Sequence, residues 1–197
     1  MINKYKFLRL RCFLKAAFRR YFSFFFRFRT PPKFLVISPG GVGTTFLMAY
    51  IVKKIPGISL NHIHDNDGFK HMANFPWLLS KHKILYVNGD INDIVNSISR
   101  RGWVLQQSAK LGCSVCQLLW NDEHLERSFI RAIKRQMNYF KSRESSNLMV
   151  TNYEDLWLKA EDIAIFFEAP DVNDFCKNFP KRKSRFSSTN YSQVEIK

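Results

Sequence analysis

One stretch, Phe34 to Ile51 (FLVISPGGVGTTFLMAYI), constrains this chain more than any other, because an apolar β-type run breaks into a glycine-rich turn and resumes as an apolar helical pattern. The order predicts strand, phosphate loop and helix. Gly40, Gly41 and Gly43, with Val42 between them, let the backbone turn its amide N–H groups inward, and Thr44 and Thr45 open a helix whose positive dipole end favours an anion. A phosphate or sulfate group suits such a cradle. The spacing is not that of a nucleotide triphosphatase, since GxxxxGK[ST] would need a glycine at Ser38 and a lysine at Thr44. The loop therefore predicts an anion and not ATP hydrolysis. The competing reading is a glycine-rich turn that only lets helix and strand pack closely.

Further β-type runs follow at Ile58 to Ile63, Lys83 to Val87 and Leu148 to Asn152, with helical patterns between them. That alternation predicts an α/β fold, a short parallel sheet flanked by helices. Asp90 or Asn92 can cap a helix carrying Ile91, Ile94, Val95 and Ile98 at helical spacing, and an amphipathic helix is expected from about Asp122 to Tyr139. A length of 197 residues with 46% apolar content suits one domain. Thr30-Pro31-Pro32 punctuates its start, which gives a basic arm over 1–32, the domain over 33–179, and a basic tail from Pro180 with few apolar residues, over 180–197. The four cysteines, at 12, 113, 116 and 176, make no disulfide framework in a chain this long and point to a reducing, cytoplasmic compartment. Cys113 and Cys116 form one C-x-x-C with no second pair. They read better as thiols on the apolar face of a helix in Leu111 to Trp120 than as a zinc site, for which His124 is the one further candidate.

The net charge of +15 is unevenly spread, for Met1 to Lys33 holds ten Lys or Arg and no acid, and the first acidic residue is Asp65. Ten Phe or Tyr are interleaved with these cations. The longest stretch of this arm without a charge, Tyr21 to Phe26, falls far short of the ~20 residues that cross a bilayer, and no cleavage site follows an apolar run. A helical arm of this kind fits peripheral attachment to an anionic membrane surface, or packing of its Phe face on the domain. Nucleic acid is the weaker alternative, because no recognised nucleic-acid module accompanies the charge.

Three segments together carry a family resemblance. SPGGVGTTFL is similar to the 5′-phosphosulfate loop of sulfotransferases, commonly PKSGTT or RKGGT. ILYVNGDINDIVNSISRR is similar to their strand and helix with RDPxDxxxSxxxR, keeping the spacing of Asp90, Asp93 and Ser97. MVTNYEDLWLKAEDIAIFFEAP is similar to their late strand, YEDL and short helices. The chain thus resembles the sulfotransferase family over most of Lys33 to Asp174. The resemblance implies a three-layer P-loop-like fold and 3′-phosphoadenosine 5′-phosphosulfate as donor. It also implies a sulfate cradle at Gly40, Gly41, Val42, Gly43, Thr44 and Thr45, and a contact of Ser97 with the 3′-phosphate, to which Arg100 or Arg101 could add charge. Two family cations are missing, since the loop lysine or arginine falls on Gly41 and the 3′-phosphate arginine on Gly89. By analogy with the family's basic C-terminal segment, replacements are sought at Lys181, Arg182, Lys183 and Arg185, while Lys33 lies at the wrong end of the first strand.

Sulfuryl transfer to a hydroxyl needs a base, and an imidazole with an ordinary pKa of ~6.5 can accept a proton near neutral pH. His64 and His62, in ISLNHIHDND, are the candidates, His64 being the nearer to the sheet edge; Asp65 and Asp67 are alternatives. The reaction requires no metal. The acceptor expected is a hydroxyl-bearing molecule, a saccharide in particular. The competing functions are a nucleotide-dependent phosphotransferase, and a membrane-associated binding protein that keeps the P-loop-like fold without its chemistry.

Overall fold

The computed structural model describes residues 32–73, 82–113 and 122–180, together with positions 7, 10, 11, 14 and 18 of the arm. Three parallel strands, β1 (Phe34–Ile37), β2 (Lys83–Asn88) and β3 (Leu148–Asn152), form a sheet in the order β1-β2-β3. All of β1 and all of β2 after Lys83 are buried. Runs this apolar on both faces are what parallel strands covered by helices on each side require. The register pairs Phe34 with Lys83 through Ile37 with Tyr86, and Ile84 with Leu148 through Asn88 with Asn152.

Between and after the strands the described residues form the helices α1 (Thr44–Lys54), α2 (Ile91–Ser99), α3 (Val104–Lys110), α4 (Asp122–Lys141), α5 (Ala160–Phe166) and α6 (Val172–Lys177). On one face of the sheet, Val36, Leu85 and Val87 share a core with Met48 and Ile51 of α1 and Ile94 and Ile98 of α2. On the other, Leu35, Ile37, Ile84 and Tyr86 meet Phe69, Met72 and Phe140. The predicted α/β fold with a short parallel sheet flanked by helices is what forms. Asp90 is the cap of α2, its Oδ1 accepting from Asn92 N–H at 2.8 Å and Asp93 N–H at 3.1 Å.

The strand expected over Ile58–Ile63 is corrected to a single parallel bridge, Leu60 against Phe34. Phe34 N–H donates to Ser59 O at 2.9 Å and Asn61 N–H to Phe34 O at 3.2 Å. Beyond that point the Asn61 side chain replaces the backbone, its Oδ1 accepting from Val36 N–H at 2.8 Å and its Nδ2 donating to Val36 O at 3.1 Å. With a side-chain amide satisfying β1, the main chain leaves the sheet and enters a turn where Asp65 has φ +58°. Two further expectations fall partly outside the described residues. Leu111 to Cys113 form a turn after α3, with Cys113 buried and its thiol 3.5 Å from Ser128 O. Cys116 and the tail from Lys181, Arg182 included, lie outside.

After β1 the chain passes to the side of Leu60, yet the next strand lies on the other side of β1. The loops leaving β1 and β2 therefore diverge, and the crevice outside such diverging carboxyl ends is where ligands bind in open α/β sheets. No helix among the described residues is long and apolar enough to cross a membrane.

Replacing Asn61 by Ala leaves the buried N–H and C=O of Val36 without partners, each costing about 1–3 kcal/mol. Urea denaturation of Asn61→Ala should show a lower midpoint with an unchanged slope; a midpoint equal to wild type would contradict this role for the amide.

Candidate functional site

The glycine-rich loop occupies that crevice. Gly40, Gly41 and Gly43 have φ of 99°, 73° and 68°, the left-handed region where a side chain is strained. Space demands glycine as strongly. A Cβ on Gly41 would come within 3.2 Å of Ser97 Cβ and 3.3 Å of Ile94 O, and one on Gly43 within 2.8 Å of the Tyr153 ring. A Cβ on Gly89, at the end of β2, would meet Val42 at 3.1 Å. Both positions where the resemblance expects a cation are thus filled by neighbouring atoms, helix α2 beneath Gly41 and the buried Val42 beside Gly89. Gly40 N–H reaches Ser38 Oγ at 3.3 Å, whereas the N–H groups of residues 41–45 find no protein acceptor among the described residues.

A cation reaches the loop from a different segment. Lys70 is buried, and its ammonium donates to Thr45 Oγ1 at 2.6 Å and to Ile63 O at 2.8 Å. Thr45 is exposed in the first turn of α1, so its own hydroxyl hydrogen remains for a ligand. Burial holds the Lys70 ammonium down to about 8, with Asp65 opposing the shift and Lys110 adding to it. Asp65 is itself buried, accepting Lys70 N–H at 3.0 Å and pairing with the Lys110 ammonium. Thr44 faces inward, its Oγ1 3.1 Å from Ser38 Oγ.

These groups line a cavity of about 200 Å³, walled by Thr45, His64, Asp65, Lys70, His71, Trp103, Gln106, Gln107 and Lys110. Of the two histidines expected there, His64 lines it. His62 does not; its Nδ1 accepts the backbone N–H of His64 at 3.1 Å, and its own N–H donates to Asp67 Oδ2 at 2.5 Å. Asp67 closes this turn, also accepting Phe69 N–H at 3.1 Å. His71 is a third imidazole that motif reading missed. Its Nδ1 lies 2.9 Å from Ser38 O, which can only accept, so Nδ1 carries the proton and Nε2 the lone pair. Burial holds it down to about 4, so the ring is neutral near pH 7. Gln107 is 4% exposed, and its Oε1 has no partner among the described residues. Unpaired buried amide oxygens are costly, which makes this atom a candidate ligand contact.

Ser97 lies under Gly41, 8% exposed, and accepts from Arg101 Nη2 at 2.9 Å. It is therefore Arg101 that the fold brings to this serine. Lys33 pairs with Glu168 at the amino end of β1, away from the loop. On the other flank of Gly43 an apolar slot of about 180 Å³ is lined by Phe46, Leu47, Tyr153, Trp157, Phe179 and Pro180. Trp157 Nε1 donates to Pro180 O at 2.6 Å, which fixes the start of the basic tail at the slot. The loop thus has an aromatic slot on one side and a cationic, imidazole-bearing cavity on the other. No known protein family, curated protein or solved structure matches this chain.

Lys70 has an ordinary value of 10.5 and a folded value of about 8. Between these limits the unfolded chain binds more protons than the native one, so stability rises with pH there, by an amount on the order of 3 kcal/mol in total. Below pH 8 both states are protonated and the slope vanishes. Denaturant unfolding of wild type minus Lys70→Met across this range should show that rise, and a flat difference would rule out a charged, desolvated Lys70.

Proposed function

We propose that this protein is sulfotransferase-like, with a P-loop fold, and that it binds 3′-phosphoadenosine 5′-phosphosulfate and transfers its sulfuryl group to a hydroxyl. The observation that carries the reading is the Lys70 ammonium on Thr45 Oγ1, at the mouth of a loop whose N–H groups from 41 to 45 are unclaimed among the described residues. Backbone donors with one desolvated cation suit an oxyanion on which charge develops during transfer. Here Lys70 does what a lysine within the loop does in the family this chain resembles. It would stabilise the bridging oxygen as the bond from sulfur to the 5′-phosphate breaks and the bond from sulfur to the acceptor oxygen forms.

The remaining groups take roles by position. Tyr153, Trp157 and Phe179 offer an aromatic slot of suitable character for adenine. Ser97, with Arg101 on its hydroxyl, is the candidate for the 3′-phosphate. His71, held neutral and tethered to Ser38, is a weak base but a fixed hydrogen-bond acceptor that can orient an acceptor hydroxyl. The exposed His64 in the same wall takes the proton. Trp103, 46% exposed, stands with Gln106 and Gln107 around this cavity, a flat aromatic face with amides that suits a saccharide acceptor. A phosphotransferase is less well supported. Thr44, the hydroxyl nearest to a magnesium-holding position, is turned inward onto Ser38.

Calorimetry with adenosine 3′,5′-bisphosphate tests the donor site. Wild type should bind, and Lys70→Met should bind roughly 10–100-fold more weakly, the worth of one charge-assisted hydrogen bond. A folded wild-type chain that ignores the bisphosphate overturns the donor assignment, and magnesium-dependent ATP binding in its place would favour phosphoryl transfer. Bisphosphate binding without sulfation of any hydroxyl would identify a binding protein that has lost the chemistry.

A further inference from the structure

The amino-terminal arm carries an exposed apolar stripe. Positions 7, 10, 11, 14 and 18 are helical, and Phe7, Leu10, Leu14 and Phe18 are exposed, the two phenylalanines at 62% and 61%. With successive helical side chains about 100° apart, these four positions fall within an arc of about 80°. Arg11 is exposed at the edge of the stripe. Large apolar side chains aligned in this way on a soluble surface mark an interaction face.

We propose that this stripe lies in the interface of an anionic lipid bilayer, with the arm's cations over the lipid headgroups. Charge selects this occupant. Ten Lys or Arg and no acid lie within Met1 to Lys33, and no acid occurs before Asp65. A polybasic segment of that density is drawn to a negatively charged leaflet, and an apolar face of four large residues supplies the second signal that holds it there. A second copy of the chain is a poor partner for the same stripe, because pairing two arms would bring twenty like charges together (ten on each). A nucleic acid would satisfy the cations but not Leu10 and Leu14, which have no ring to stack on bases. The bilayer alone answers both features. This inference is independent of the donor site and would survive the loss of any nucleotide binding.

The test is co-sedimentation of the full chain with phosphatidylcholine vesicles, with and without about one third phosphatidylserine. Wild type should sediment with the anionic vesicles and remain in the supernatant with the neutral ones. Leu10→Ser combined with Leu14→Ser keeps every charge and should lower the partition coefficient on the order of tenfold or more. Arg9→Gln, Arg11→Gln, Arg19→Gln and Arg20→Gln together keep the stripe and should lower it roughly fivefold per charge removed. Circular dichroism of each variant shows that the domain remains folded. Full sedimentation of the double serine variant would overturn the role of the stripe, and equal sedimentation with neutral vesicles would overturn the anionic requirement. Binding to single-stranded RNA with none to vesicles would assign the arm to nucleic acid, and a dimer abolished by the serine substitutions would assign it to self-association.

Discussion

A buried lysine whose ammonium meets no carboxylate among the described residues is the constraint around which the site end of this fold is arranged. Desolvating a charge is expensive unless hydrogen bonds meet it, and the Lys70 ammonium is met by two while the residue's backbone is held by two more. Its ammonium holds Thr45 Oγ1 and Ile63 O, its N–H holds Asp65 Oδ1, and its carbonyl accepts Ser38 N–H at 2.9 Å. Asp65 in turn pairs with Lys110 of α3. One residue therefore ties the turn after Asn61 to the end of β1, the first turn of α1 and, through a carboxylate, to α3. Truncating any member of such a network leaves the others desolvated and unpaired, which is why the network holds the loop's surroundings in a single arrangement.

The same crowding explains why the cation comes from a distance. The loop rests on α2, with Ser97 and Ile94 O against Gly41, so no side chain can project there without moving a helix that the core fixes through Ile94 and Ile98. A cation arriving through the turn at 61–71 avoids that obstacle. It reaches the loop from the open flank, where Thr45 faces the cavity. The loop gains close packing beneath and keeps its charge beside it.

This division marks what was legible in the sequence. The strand, loop and helix of Phe34 to Ile51, the cap at Asp90 and the long amphipathic helix α4 are each written in local pattern, and they formed where periodicity and capping chemistry predicted them. Ile58 to Ile63 has a strand's composition, but Asn61 satisfies β1 with its side chain, a substitution that periodicity cannot reveal. Lys70 and His71 were illegible for another reason. They lie far along the chain from the loop they serve, in a segment with no motif, and only the return of the chain past Ser38 brings them there. His62 and His64, two residues apart, would share one face of a strand, yet the turn sends only His64 to the cavity.

The lowered proton affinity of Lys70 connects architecture to chemistry. In the protein alone, burial disfavours its charged form, and Lys110 disfavours it further. An oxyanion seated against the loop and Thr45 reverses that balance, because an opposite charge within a few ångströms favours the ammonium. The ligand thus recovers a desolvation cost that folding has already met, and the recovery is greatest for the species carrying most negative charge near Nζ. In the sulfuryl transfer proposed above that species would be the separating phosphate rather than the intact donor, so the interaction would strengthen along the reaction coordinate. A buried lysine held below its ordinary proton affinity beside preoriented N–H groups is in this sense complementary to a leaving group rather than to a ground state.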